Sequence, residues 1–252
     1  MTREYIMLGI TPSQRQPLPD YAANPGQPLE RHRWSPYNDN GGSTVAVAGE
    51  DFVVVASDTR LTDGRYGILS RNCSKVFKLT DSTLLAACGC WADVLTLTKL
   101  MGARLQIYKY THNRTMKTPA TAQMLANTLY SKRFFPYYVR NILAGLDDDG
   151  KGIIYGYDPV GCMEKLGHAA DGSGVAIMQP LLDNQVEKLN MVVPGTDQKV
   201  PKKRPTLEEA FELVHDCFIA AAERQIHVAD AIDIQIITKN GIEERKVTLR
   251  RD

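Results

Sequence analysis

The side chains able to do chemistry in this sequence of 252 residues are scattered. Its five histidines, His32, His112, His168, His215 and His227, form no spaced pair of the kind that holds a metal, so they read as surface or hydrogen-bonded core residues. Asp147-Asp148-Asp149 offers three carboxylates, but Gly150-Lys151 follows at once and the run reads as a solvated hairpin turn. Gly172-Ser173-Gly174 is a tight turn carrying one hydroxyl, which alone is a weak sign of a nucleophile. Cys88-Gly89-Cys90 is too closely spaced for a zinc knuckle. Lys132-Arg133 beside Phe134-Phe135 and Tyr137-Tyr138 mixes cations with aromatic rings. Such a mixture serves single-stranded nucleic acid, but with a net charge of +1 a protein interface is the better reading. Phosphate-binding glycine loops, the nucleophile elbow, the zincin helix and the EF-hand loop are all absent, and no cofactor or metal is expected.

The elements that would position these groups follow from composition and period. An apolar fraction of 43% and a charged fraction of 23% suit a folded globular chain. No apolar run approaches the ~20 residues of a membrane span, and Met1 to Asp20 lacks the apolar stretch of a secretory signal. The odd set Cys73, Cys88, Cys90, Cys162 and Cys217 reads as reduced thiols of a cytoplasmic or nuclear protein. Six of the thirteen prolines fall before residue 42, where no apolar period exists, so this stretch reads as a leader or arm.

From Ser43 the pattern changes. Thr44–Val47 and Phe52–Ser57 predict a hairpin, as do Lys75–Leu79 and Thr83–Cys88. Val94, Leu97, Met101, Leu105 and Tyr108 predict one helix, and a second runs from Pro119 to about Arg133. Strands are expected at Tyr138–Leu146 and Gly152–Tyr157, while Ser173–Leu182 is ambiguous. Thr206 with Glu209 predicts a capping box, and the helix it opens would bury Ala210, Val214, Cys217 and Ala221. Ile232–Thr238 and Glu244–Leu249 close the chain around a turn at Asn240-Gly241. Hairpins with helices on their outer faces give an α+β chain, a four-layer α-β-β-α sandwich of two antiparallel sheets.

Several strings in this framework resemble the beta subunits of the 20S proteasome. The opening Gly41–Leu79 does so through Ser57-Asp58-Thr59-Arg60 and Lys75-Val76-Phe77. Ala48-Gly49-Glu50-Asp51-Phe52, Lys132 to Val139, Tyr157-Asp158-Pro159-Val160-Gly161 and Leu182-Asp183-Asn184-Gln185-Val186 resemble the non-catalytic paralogue at the sixth beta position. The resemblance covers residues 33–252 as one domain and implies the N-terminal-nucleophile hydrolase fold. Residues 1–32 then correspond to a removable leader, with a mature start near Arg33.

In catalytic members of that family an N-terminal threonine attacks the peptide carbonyl, tuned by an aspartate and a lysine. The resemblance places Asp58 and Lys75 at those two positions. Counting back sixteen residues from Asp58 reaches Gly42, which has no hydroxyl. Ser43 is one residue on and faces the other side of a strand, unless a one-residue bulge turns it. Thr44 has the right parity but lies roughly 6.6 Å further along, beyond the reach of the chemistry. Gln225 stands where the resemblance requires a second aspartate and Val228 where it requires a serine, while Ser173 matches the remaining serine. Asp58 and Lys75 are then expected to persist as a structural ion pair.

The resemblance therefore implies a non-catalytic structural subunit of a seven-membered ring that supports degradation of ubiquitin-tagged proteins by threonine-protease neighbours. Expected partners are the fifth and seventh beta subunits, the alpha ring and the opposite beta ring, with no nucleic acid and no membrane. Two alternatives stay open: an active peptidase using Ser43 or Thr44 after autolysis, and a stand-alone binding module.

Overall fold

A computed structural model of the chain describes residues 35–64, 66–188, 191–192, 194–195, 199–200 and 203–251. The expected leader, residues 1–32, lies outside them. The body begins at Tyr37.

Twelve strands and four α-helices are described. The first hairpin is β1 (Ser43–Ala48) and β2 (Phe52–Asp58), followed by the short pair β3 (Leu61–Thr62) and β4 (Ile68–Ser70). Next come β5 (Val76–Thr80) and β6 (Thr83–Gly89), then helices α1 (Trp91–His112) and α2 (Thr118–Tyr130). Strands β7 (Val139–Leu146), β8 (Gly152–Tyr157), β9 (Met163–Leu166) and β10 (His168–Gly172) lead to α3 (Val175–Leu182), which runs into a π turn at Asp183–Glu187. Helix α4 (Leu207–Ala222) and the hairpin β11 (Ala231–Thr238) and β12 (Gly241–Thr248) complete the chain.

One antiparallel sheet has the order β10-β1-β2-β11-β12 and the other the order β5-β6-β7-β8-β9. Strand alternation sorts their side chains into three cores. Val45, Val47, Val54, Ala56, Ile232, Ile234 and Ile236 pack under α3 and α4. Leu85, Ala87, Leu143 and Tyr155 pack under α1 and α2. Ala46, Val53, Val55, Leu84, Ala86 and Ile142 fill the space between the sheets. The layers are therefore α-β-β-α, and β1 and β2, buried on both faces, read as continuous apolar runs.

Thr206 caps α4 reciprocally: its hydroxyl accepts from Glu209 N at 3.3 Å and its own N–H donates to Glu209 Oε2 at 2.8 Å. Ala210, Val214, Cys217 and Ala221 are all buried beneath it. Elsewhere the chain departs from the sequence reading. The ambiguous segment is a helix, α3, so two helices and not one cover the outer face. Helix α2 ends at Tyr130, short of Arg133, and the last hairpin turns on Lys239-Asn240, because Gly241 already pairs with Thr238. Tyr108 is only half-buried and stacks on His112 at 4.5 Å. The three aspartates do form a turn, in which Asp147 Oδ1 accepts from the backbone N–H groups of Asp149 and Lys151.

Candidate functional site

The head of β1, the end of β2 and the start of β5 meet at one buried polar cluster. Asp58 is the last residue of β2, and Lys75 immediately precedes β5. Both are essentially inaccessible, at 0% and 1% exposure. The Lys75 ammonium donates to Asp58 Oδ2 at 3.0 Å, to the Asp58 carbonyl at 2.9 Å and to the Arg60 carbonyl at 2.7 Å. An ammonium has three protons, and all three are committed. Asp58 also accepts from Ser43 N at 2.6 Å and Arg60 N at 3.1 Å. Burial pushes its carboxyl up from the usual carboxylate range, while Lys75 and the two backbone amides pull it back.

Gly42 faces the pair directly. A Cβ built on it would meet Lys75 Cε at 2.3 Å and Cδ at 2.7 Å. Its φ of +94° lies in the left-handed region that side chains rarely occupy. Gly42 O accepts from Ser173 N at 2.9 Å, and Asp39 Oδ1 accepts from Gly41 N at 3.0 Å.

The neighbouring hydroxyls are turned elsewhere. The register of β1 against β2 and β10 runs without a bulge. Ser43 Oγ accepts from Gly174 N at 2.7 Å, and a Cβ on Gly174 would lie beside Ser43 Oγ, Ala221 and Met178, on the α3/α4 face. Thr44 is fully buried, pairs with Ser57 and Asp171, and its hydroxyl has no hydrogen-bond partner. Gln225 Nε2 donates to the Ser173 carbonyl at 2.7 Å, which ties the end of α4 to the turn beside Gly42. Val228 is buried in the apolar core beneath α4. Gly42, Asp58 and Lys75 thus form one cluster, Ser173 and Gln225 border it through Gly42 O, and Val228 contributes packing.

Sequence reasoning missed the groups that flank this cluster. Asn40 lies between Thr62 of β3 and Gly89 at the end of β6, and nothing in a polar Asn-Asp-Asn-Gly run signals that position. Asp230, with φ +72°, receives Arg60 Nε at 2.8 Å and Arg71 Nη1 at 2.6 Å. Burial opposes ionisation of Asp230, but the two guanidiniums outweigh it and hold the carboxyl below its usual range. Among the described residues no group of three or more His, Cys, Asp or Glu side chains is placed to hold a metal.

Two antiparallel sheets between paired helices, with a buried aspartate–lysine pair at the head of the first strand, define the N-terminal-nucleophile hydrolase architecture. The chain belongs to the proteasome subunit family, which it matches over residues 38–237. It is similar to proteins named proteasome subunit beta type-1. It is 51% identical to that of Drosophila melanogaster over 93% of this chain and 97% of the relative. The identity to that of Danio rerio is 49%, over 89% and 92%. Proteasome subunit beta type-6 of Saccharomyces cerevisiae is 44% identical over 89% of this chain and 94% of its own length.

Proposed function

We propose that the chain is a non-catalytic subunit of the beta ring of the 20S core particle, which positions and walls in catalytic neighbours. The observation that carries this reading is Gly42, a residue without a hydroxyl held at φ +94° against a Lys75 whose protons are all committed. The active alternative loses support from the same geometry: Ser43 Oγ is engaged on the opposite face, and Thr44 is sealed between the sheets.

Neighbours at the fifth and seventh beta positions, an alpha ring above and a beta ring opposite are part of the proposal, as are removal of residues 1–32 and a cytoplasmic and nuclear setting. An interface is supported by Phe134, 98% exposed beside Phe135, on the turn after α2 that carries Lys132 and Arg133. Five unpaired cysteines suit a reducing compartment.

The test is N-terminal sequencing of the chain from native high-mass complexes, with a hydroxyl-reactive electrophile applied in parallel. A start near Arg33 and an unlabelled chain beside labelled neighbours are expected. A start at Ser43 or Thr44 with label on that residue would overturn the reading.

A further inference from the structure

His168 opens β10, the edge strand beside β1, and its side chain is only 7% exposed. Its ring is closed in between two acids. Nε2 lies 2.8 Å from Asp183 Oδ1, and Nδ1 lies 3.9 Å from Glu187 Oε1. Both acids belong to the π turn that ends α3. Nδ1 is buried and has no hydrogen-bond partner.

The turn brings both acids to one ring. Gln179, Asp183 and Glu187 recur every four residues as a polar stripe along β10. Gln179 Oε1 accepts from Ala170 N at 2.9 Å, and Gln179 Nε2 donates to Asp183 Oδ1 at 2.7 Å. Glu187 Oε1 lies over Gly167, 3.8 Å from where a Cβ would stand. Leu182 and Val186, between these residues, are buried in the core beneath α3 and α4. The residue paired with His168 on β1 is Val47, and the α3 residue of the stripe is Gln179; neither titrates. Lys188, next in sequence, lines a cavity with Glu209 of α4.

A neutral imidazole has one N–H and one lone pair. Either neutral tautomer therefore sets a ring lone pair against a carboxylate, acceptor against acceptor. The imidazolium has an N–H on each side, and both contacts become attractive. Asp183 is available as an anion, because the His168 hydrogen bond holds its carboxyl below the usual carboxylate range.

We infer that His168 is a proton-operated latch on the π turn: protonated on both nitrogens it holds Asp183 and Glu187 against β10, and on losing one proton it releases Glu187. The closed turn takes up the proton, so lowering the pH from about 8 to about 6 tightens the turn and raising it loosens the turn. This goes beyond the non-catalytic reading and uses none of its residues.

The test is hydrogen exchange of peptides spanning Asp183–Lys188 in assembled particles across that pH range, each rate divided by the intrinsic rate at its pH. In the unaltered chain the corrected rate should be about tenfold lower at the acid end, the equivalent of one charge-assisted hydrogen bond. His168→Gln keeps a donor for Asp183 and cannot titrate, and Glu187→Gln removes the second anion, so both profiles should be flat. A flat profile in the unaltered chain, or a pH dependence that survives in either variant, overturns the inference. If the variants fail to assemble, exchange of the His168 ring C2–H in unaltered particles decides. Ring and turn amides that change together with pH support the latch, and turn amides that change while the ring does not overturn it.

Discussion

Replacing Lys75 by methionine isolates the energetics of the buried pair. Methionine keeps most of the aliphatic volume and removes the three ammonium hydrogen bonds to Asp58 Oδ2, Asp58 O and Arg60 O. Asp58 is then a fully buried carboxylate with only Ser43 N and Arg60 N as donors. Removing one partner of a buried pair costs about 3–5 kcal/mol, because the other charge is left uncompensated. Hydrogen exchange of the slowest amides of β1 and β2 in assembled particles measures this. Their rates should rise by roughly 150- to 5,000-fold, the factor equivalent to that energy. The double variant Asp58→Asn/Lys75→Met removes both charges and should recover part of the loss. If the single variant costs less than about 1 kcal/mol, or the double is as unstable as the sum of the two singles, the pair is not coupled as described. Activity of neighbouring subunits should follow incorporation of the chain and nothing else.

Three further outcomes follow from the same geometry. Gly42→Thr, made in the otherwise unaltered chain, should destabilise by about 1–3 kcal/mol through left-handed strain and overlap with Lys75, seen as a lower Tm or faster exchange in β1; unchanged stability would contradict the assigned φ. Asp230 has a depressed folded-state carboxyl, so its contribution is fully present above the ordinary carboxylate range near 4 and is lost as pH falls through the lower folded value. Arg71→Ala should therefore flatten the acid limb of stability against pH and leave the difference between pH 7 and pH 8 unchanged. In the folded chain Cys162, the exposed thiol, should react with a maleimide at pH 7. Cys88 and Cys217 should not, since burial raises both thiols, Cys217 to about 12; mass spectrometry of labelled peptides checks this.

Much of this protein was decided by local pattern. The β1–β2 and β5–β6 hairpins, α1 and the capping box of α4 are legible because each is specified within a few residues by alternation, a helical stripe or a cap. Gly42 without a hydroxyl is likewise a fact of sequence once Asp58 is matched to its family position. Other elements carry no such signal. Strand β10, His168–Gly172, exists because β1 offers it an edge, and β9 is a four-residue strand with no apolar period. Helix α3 contains Pro180 and follows two glycines, so its pattern alone chose no state. Only the tertiary structure joined Asn40 to Thr62 and Trp91, 22 and 51 residues further on. It likewise gave Asp230 its two arginines, one of them 170 residues away. Contacts across such separations depend on where whole strands and helices come to rest, and a polar residue's type does not say which distant backbone group will meet it.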